Sequence, residues 1–262
     1  MHPGAVVPNP PAIEVAGVTV EFTGLRALDG VSLAVPPAGC FGIVGESGSG
    51  KSTLLRPILG LQRPTRGEVR IEGTLQPHRR DFRAQARLVQ PIFQDPALSL
   101  SPRRRVGQSL DEVGEALGEP RDALRARLGG VFERLGLQMP VLDRYPHQIS
   151  GGQARRVAIA RALLFQPRVL IADEPTAGLD VSVQGDLLNL LQEIRAATGV
   201  TLLIVSHNLA VIRLIADRVA VMQGGHIVEE GDSRSVFDAP RSDYTRTLIA
   251  SWPRGQPVEA TG

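Results

Sequence analysis

One segment of the sequence combines glycines, hydroxyl residues and a lysine at a spacing suited to phosphate binding. It runs in order through Gly45, Glu46, Ser47, Gly48, Ser49, Gly50, Lys51, Ser52 and Thr53. Residues 45–52 match the pattern G-x-x-x-x-G-K-[ST], with a strand-like apolar run before them and a helical pattern after them. Glycines let backbone N–H groups surround phosphate oxygens, and the dipole of the following helix favours their negative charge. Lys51, the only lysine in the chain, would contact the β- and γ-phosphates, and the Ser52 hydroxyl would bind Mg²⁺. A Gly/Ser turn with a chance lysine does not account for this context, so the segment predicts a phosphate-binding loop.

Two acidic residues follow a second apolar run. Asp173 and Glu174 come directly after residues 169–172, which are all apolar. Charged side chains at the carboxyl end of a buried strand lie where open α/β sheets bind their ligands. Asp173 would then contribute to a Mg²⁺ site, and Glu174 would act as general base on an attacking water. The alternative is an ordinary acidic turn, which the presence of the phosphate-binding segment makes a minor one.

Gln94 and His207 occupy similar positions in the sequence. Gln94 follows the strand-like residues 88–93, and His207 follows the strand pattern at residues 203–206. If both strands belong to the sheet that carries the phosphate-binding loop, both side chains can reach a γ-phosphate. Taken alone, each is more often an ordinary polar residue at a strand end.

The spacing of apolar residues predicts the elements that position these side chains. Alternation from Ile13 to Phe22, with a slip at Gly17, predicts a strand with a turn. Further strands are predicted over residues 31–35, 40–44, 67–73, 169–172, 201–205 and 219–222. Helical spacing predicts amphipathic helices through Val106, Leu110, Val113 and Leu117, through Leu124, Leu128, Val131 and Leu135, and through Val183, Leu187, Leu190 or Leu191 and Ile194. The last of these helices should end at Gly199. The resulting order predicts an α/β core interrupted by a helical insertion.

Composition narrows the class of protein. The chain has 262 residues, 42% of them hydrophobic and 21% charged, which is typical of a globular protein and not of a collagen or a coiled coil. No apolar run approaches the roughly 18 residues of a membrane span, and the N-terminal residues lack a signal-peptide pattern. A single cysteine, Cys40, excludes an internal disulfide framework and fits a reducing cytoplasm. A net charge of +2 and 4% aromatic residues argue against nucleic-acid binding, so the Arg103–Arg105 run is better explained as solvated or partner-facing surface.

A further motif resembles the signature sequence of the ATP-binding cassette (ABC) ATPases. Residues 149–153 are Ile-Ser-Gly-Gly-Gln, where that family usually has Leu-Ser-Gly-Gly-Gln, and the order of motifs is similar from about Ile13 to Gly231. The resemblance implies an α/β fold, with a P-loop NTPase (RecA-like) core, an N-terminal antiparallel β subdomain and an inserted α-helical subdomain. It also implies hydrolysis of ATP with Mg²⁺. The predicted boundaries are a flexible N-terminal segment over 1–11, an ABC ATPase domain over 12–235 and a C-terminal helical tail over 236–262. Within the domain the core covers 12–93 and 165–235, and the helical subdomain covers 94–164.

The resemblance also implies roles for single residues. The signature residues are Ser150, Gly151, Gly152 and Gln153. They would bind ATP that is held by the P-loop of a second ABC ATPase subunit, in a homo- or heterodimer. Asp180 would belong to the D-loop and Gln94 to the Q-loop, and His207 would be the switch histidine. Phe22 is the expected adenine-stacking aromatic, with a plain core strand residue as a nearly equal alternative. Catalysis would rest on Glu174, His207, Gln94 and Lys51, and Mg²⁺ would be bound by Ser52, Gln94 and Asp173.

Three segments resemble the ATPases of peptide/nickel-type importers: residues 93–103, 145–147 and 244–253. This resemblance implies the ATP-binding subunit of an importer for peptides or a related small solute such as nickel. Its partners would be two integral membrane permease subunits and, indirectly, an extracytoplasmic substrate-binding protein, so the chain would lie peripherally on the cytoplasmic face of the cell membrane. The alternative is the ATPase half of an exporter or a regulatory ABC ATPase without a transport role. Leu98, Leu100 and Arg103–Arg105 are expected to face the permease, and packing inside the insertion is the alternative for the two leucines.

Two prolines depart from the expected local structure. Pro57 lies in the helix predicted after the P-loop, where it removes the hydrogen bond to the Thr53 carbonyl and can kink the helix. Pro91 interrupts the strand before Gln94, and a central strand normally excludes proline. Neither proline removes a catalytic group, so we expect the protein to be active.

Overall fold

The computed structural model describes residues 10–76, 82–93 and 100–252. The strands of this part of the chain are β1 (Ile13–Phe22), β2 (Leu25–Val35), β3 (Cys40–Val44), β4 (Arg66–Ile71), β5 (Thr74–Leu75), β6 (Val89–Ile92), β7 (Val169–Asp173), β8 (Thr201–Ser206), β9 (Arg218–Gln223) and β10 (His226–Asp232). The α-helices are α1 (Lys51–Ile58), α2 (Phe82–Leu88), α3 (Val106–Leu117), α4 (Arg121–Arg134), α5 (Gly151–Leu164), α6 (Val181–Thr198), α7 (Leu209–Ile215), α8 (Ser233–Asp238) and α9 (Asp243–Ala250). None of the described helices is long and apolar enough to cross a membrane.

A four-stranded antiparallel sheet has the order β2-β1-β4-β5. The alternating residues of β1 bury Ile13, Val15, Val18 and Val20 in one hydrophobic core, which they share with residues of α1 and of one face of the six-stranded sheet. A larger core, the main core cluster, is formed by buried residues of α3, α4, α5, α6 and α7 and of the opposite face of that sheet. The register of β1 against β2 shifts between Val15 and Val18, and Gly17 between them has φ 60°, so the slip expected at Gly17 is confirmed as a bulge.

A six-stranded sheet carries the residues predicted to bind phosphate and metal. Its order is β10-β9-β3-β8-β7-β6, and every neighbouring pair is parallel except β10 with β9. Strands β3 and β8 are buried along their whole length, which explains their continuous apolar runs. Because these strands are parallel and adjacent, the loops after β3, β7 and β8 meet at one edge of the sheet.

Both prolines are accommodated near the ends of their elements. In the described sheet β6 is an edge strand that pairs only with β7, so the expectation of a central strand at Pro91 is wrong. An edge strand tolerates proline because the backbone N–H that proline lacks is not needed for pairing on the open side. This strand also begins one residue later than predicted, because Leu88 still belongs to α2. Pro57 lies in the last turn of α1, and the first turn is formed, with the Leu54 amide donating to the Gly50 carbonyl at 2.9 Å.

The helical part of the chain follows the predicted periodicity with two exceptions. In α3 all four predicted core residues are buried, and α6 ends at Gly199, whose φ is 69°. In α4 the core position assigned to Val131 belongs to its neighbour Phe132, which is 1% exposed. Val183 is 38% exposed, so the buried stripe of α6 begins at Leu187 and not at Val183. The predicted domain boundaries stay predictions, and residues 1–9 and 253–262 lie outside the described chain.

Candidate functional site

The glycine-rich loop folds tightly against its own sheet. Gly45 has φ 154°, and a Cβ there would lie 2.3 Å from the carbonyl oxygen of Met222 on β9. Gly50 has φ 105° and immediately precedes α1. Between them, Gly48 has φ 81° with open space around the position of a Cβ, so a ligand can approach this part of the backbone. The loop therefore requires glycine for two reasons, close packing at Gly45 and backbone conformation at all three positions.

Lys51 turns its ammonium group back into this loop. The side chain is 8% exposed, and Nζ donates to the carbonyl oxygens of Gly45 at 2.6 Å and Glu46 at 2.8 Å. Burial lowers the pKa of Lys51, whereas the nearby carboxylates of Glu174 and Asp173 act in the opposite direction. The two carbonyls hold the ammonium at the mouth of the loop, where phosphate oxygens could replace them.

Asp173 ends β7 close to Lys51. Burial raises the pKa of its carboxyl group, the neighbouring Glu174 raises it further, and Lys51 lowers it. A divalent cation would favour the ionised form of this carboxylate. A carboxylate and the exposed hydroxyl of Ser52 are oxygen donors of the kind that Mg²⁺ takes together with substrate phosphates, so these residues fit that ion.

Glu174 is held in place by residues at the end of β8. Its Oε1 accepts from the backbone N–H of His207 at 2.9 Å and lies 2.8 Å from Nδ1 of that ring. Its Oε2 accepts from the Ser206 hydroxyl at 3.1 Å. The backbone of Glu174 is left-handed, with φ 49°, and its N–H donates to the Val205 carbonyl at 2.8 Å. A carboxylate fixed by several donors next to an exposed histidine is an arrangement suited to moving a proton. Sequence reasoning missed Ser206, although its position directly before His207 was the available signal.

A cleft of about 1040 Å³ opens over the loop. It is lined by the phosphate-binding segment, by Glu174 and His207, and by Phe22 at the end of β1. The Phe22 ring is 37% exposed, with the guanidinium group of Arg56 6.0 Å from its centroid, so it is not a plain core residue. Leu25 and Leu248 also line the cleft. Leu248 belongs to the segment 244–253 that resembles importer ATPases, but neither leucine was predicted to contact the site, because nothing in the sequence pattern links them to the phosphate-binding loop.

The signature residues lie apart from this cleft, at the N-terminus of α5. Ser150 caps the helix by accepting from the Gln153 N–H at 3.2 Å, and the Gln153 side chain accepts from the Ser150 N–H at 3.0 Å. Gly151 and Gly152 are exposed. Asp180 caps α6 in the same way, accepting from the Val183 N–H at 2.9 Å. None of these residues lines the cleft within the described chain.

The segment around Gln94 is described only in part. Gln94 and Leu98 lie outside the described residues, and the expectations for both stay predictions. Leu100 is 3% exposed and belongs to the main core cluster, so the expectation that it faces a permease is wrong and the packing alternative holds. In the basic run, Arg104 pairs with Glu112, and Arg105 lies 3.9 Å from Asp143.

The site combines a glycine-rich loop at the N-terminus of a helix, a buried lysine, and two acids at the carboxyl end of β7 in the same sheet. This combination defines a P-loop nucleotide-binding protein of the α/β class. The sequence profile of the ABC transporter family matches residues 28–177, which is more than half of the chain. The chain belongs to this family. The predicted fold class is confirmed by a solved structure described as the dimeric ATP-binding cassette MJ0796 in a post-hydrolysis state bound to ADP and Pi. That structure matches with a TM-score of 0.72 at 27% identity, over 85% of this chain and 99% of the other.

Relatives of known function point to one branch of the family. The oligopeptide transport ATP-binding protein OppD of Mycobacterium tuberculosis is 42% identical over 89% of this chain and 39% of its own length. The oligopeptide transport ATP-binding protein OppF of Escherichia coli is 41% identical over 89% of this chain and 71% of its own length. The chain thus spans about two fifths of OppD and most of OppF.

Proposed function

We propose that this chain is the ATP-hydrolysing nucleotide-binding subunit of an ABC importer. The observation that carries the proposal is the meeting, at one sheet edge, of the glycine-rich loop with its buried Lys51 and the Glu174–His207 pair. These groups line one cleft or end the strands beside it, so a single nucleotide can contact both the loop and the proton-accepting pair.

ATP would bind with its phosphates on the loop and its base towards Phe22. The amides of residues 47–53 would donate to the phosphate oxygens, whereas the Glu46 amide already donates to the Tyr244 hydroxyl. Lys51 would exchange its two carbonyl partners for the β- and γ-phosphates. When bound, Mg²⁺ would neutralise phosphate charge, with Ser52, Asp173 and Gln94 as the residues that hold it. The exposed face of Phe22 offers a surface on which an adenine ring can stack.

Hydrolysis needs a group that accepts a proton from the attacking water. Glu174 would take this role, because its carboxylate ends in the cleft and is oriented by Ser206 and His207. His207, exposed at the end of β8, would orient Glu174 and sense the γ-phosphate together with Gln94.

A second ABC ATPase subunit would complete the site. Ser150, Gly151, Gly152 and Gln153 form an exposed, capped helix N-terminus that faces no nucleotide within its own chain, which suits binding across a dimer to the phosphates held by a partner. Asp180 would line the same interface. The similar cassette MJ0796 is dimeric with ADP and Pi.

The names of the relatives favour peptides as the transported solute. OppD and OppF are oligopeptide transport ATP-binding proteins, so we propose peptides or a related small solute as the cargo, with nickel kept as the alternative solute. The chain would then associate with two permease subunits, indirectly with a substrate-binding protein, and with no nucleic acid. This association would hold it at the cytoplasmic face of the cell membrane.

Nucleotide binding and turnover by the full chain test the proposal. We expect the wild type to bind Mg-ADP and to hydrolyse Mg-ATP, and Lys51→Ala to raise KM and lower turnover by about 10²–10³-fold, since it removes a positioned charge from the phosphates. Arg63→Ala, which removes an exposed cation outside the cleft, is the matched control and should change neither. Failure of the wild type to bind nucleotide, or unchanged turnover in a folded Lys51→Ala protein, would refute the assignment. Purification of the tagged chain from solubilised membranes should recover integral permeases, and recovery without them would count against the importer.

A further inference from the structure

The C-terminal helix α9 reaches the phosphate-binding loop from the far end of the chain. The hydroxyl oxygen of Tyr244 accepts a hydrogen bond from the backbone N–H of Glu46 at 3.3 Å. Leu248, one helical turn later, lines the nucleotide cleft. Two residues on one face of α9 therefore lie against the proposed site, although neither belongs to the phosphate-binding, acidic or signature motifs that predicted it.

This helix is held firmly by the rest of the molecule. Its entry is fixed by the carboxylate of Glu229 on β10, which accepts from the backbone N–H groups of Arg241 at 2.8 Å and Ser242 at 3.0 Å. Tyr244, Leu248, Ile249 and Trp252 pack against the main core cluster. Because both ends of α9 are attached, the Tyr244 hydroxyl is a fixed acceptor.

The peptide unit that Tyr244 contacts is also the one that holds the lysine. The Gly45 carbonyl accepts from Nζ of Lys51 at 2.6 Å, and the N–H of the same planar unit, which belongs to Glu46, donates to Tyr244. A rigid peptide plane with a partner on each side cannot rotate without breaking one of these hydrogen bonds. Its orientation sets both the direction of the loop and the position of the ammonium group.

We infer that Tyr244 is a positioning residue for the phosphate site: its hydroxyl fixes the Gly45–Glu46 peptide and so keeps the loop in the form that accepts nucleotide. The inference rests on the proposed function. Without the hydroxyl, the first part of the loop would have to be ordered when the ligand binds, and that ordering reduces affinity. The loss of one neutral hydrogen bond corresponds to about a threefold to tenfold weaker affinity.

The test compares two Tyr→Phe variants of the full chain, which has only two tyrosines. Tyr244→Phe keeps the packed ring and removes the acceptor. Tyr145→Phe, outside the cleft, is the matched control. We expect Tyr244→Phe to raise the Kd for Mg-ADP and the KM for ATP about threefold to tenfold, with turnover at saturation within about twofold of wild type and with Tyr145→Phe unchanged. The emission of Trp252, the only tryptophan, follows the end of α9 and should be the same in wild type and Tyr244→Phe if the helix stays docked.

The outcomes separate this inference from the proposed function. If wild type does not bind Mg-ADP, the proposed function fails and the inference fails with it. If wild type binds and Tyr244→Phe has an equal or lower Kd, the inference alone is overturned. A lower Tm for Tyr244→Phe with an unchanged Kd would mean that the contact only stabilises the fold, and this result also overturns it.

Discussion

Replacing Glu174 by glutamine should remove catalysis while leaving the site intact. In Glu174→Gln the amide oxygen can keep the Oε1 position and both contacts to His207, at 2.9 Å and 2.8 Å. The amide nitrogen then donates to the Ser206 hydroxyl, whose oxygen already accepts from the Asn208 N–H at 3.0 Å and has a second lone pair available. The hydroxyl hydrogen of Ser206, which is 0% exposed, then loses its acceptor, and this loss costs about 1–3 kcal/mol. We therefore expect Tm to fall by about 2–12 °C.

Turnover should fall far more than stability does. An amide cannot accept a proton from water, so the loss of a general base should lower kcat by about 10²–10⁴-fold with the Kd for Mg-ADP nearly unchanged. The assay is release of phosphate at saturating Mg-ATP, next to thermal melts of the same samples. Glu193→Gln, the same change at an exposed position of α6, is the control and should match wild type. A folded, nucleotide-binding Glu174→Gln protein that retains more than about a tenth of wild-type turnover would show that Glu174 is not the base.

Three further predictions concern the loop, the metal-side carboxylate and the cysteine. Gly45→Ala places a Cβ 2.3 Å from a backbone oxygen and should lower Tm by about 6–15 °C, whereas Gly48→Ala meets only backbone strain and should lower it by about 2–4 °C; equal melts would contradict this. Burial raises the pKa of Asp173, so ionisation of this carboxyl group removes stability from the folded protein as the pH rises through that pKa. Without nucleotide or metal, Asp173→Asn should therefore melt at a higher temperature than wild type at pH 7. The difference in Tm should narrow towards about pH 4, where the carboxyl group is protonated. An Asp173→Asn protein that melts lower at pH 7 would refute this sign. Burial also raises the pKa of Cys40 to about 12, so a thiol reagent at pH 8 should modify the protein only in denaturant, and reaction of the native protein would show that the strand opens.

The phosphate site could be predicted from the sequence because its chemistry is local. A glycine-rich turn between a strand and a helix specifies its own conformation, and acids that end an apolar strand must lie at the carboxyl edge of a parallel sheet. Asp173 and Glu174 were predicted in this way without knowledge of the strand order. The alternation of β1, including the slip at Gly17, could also be predicted, because successive side chains of a strand lie on opposite faces of the sheet and apolar residues therefore recur at every second position.

Features that depend on the sheet order or on distant contacts could not be predicted. Pro91 looks misplaced until β6 is known to lie at the edge of the sheet, since strand order is a property of the whole fold. The basic run that follows Leu100 in the sequence suggests that this leucine is exposed, and only the packing of the helical insertion shows that it is buried. The contact of Tyr244 with Glu46 joins residues 198 positions apart, and no local pattern signals such a pair.

A protease that cleaves only after lysine has a single target in this chain, the bond between Lys51 and Ser52. That bond lies in the first turn of α1, and the side chain that the protease must grasp is 8% exposed and bonded inside the loop. Cleavage therefore requires the loop to open, and when opening and closing are fast relative to cutting, the rate of cleavage follows the population of the open form. The rate at which the two fragments, 1–51 and 52–262, appear would report the population of the open phosphate site in unlabelled protein. The factor by which a nucleotide lowers this rate would measure how strongly that ligand keeps the loop closed.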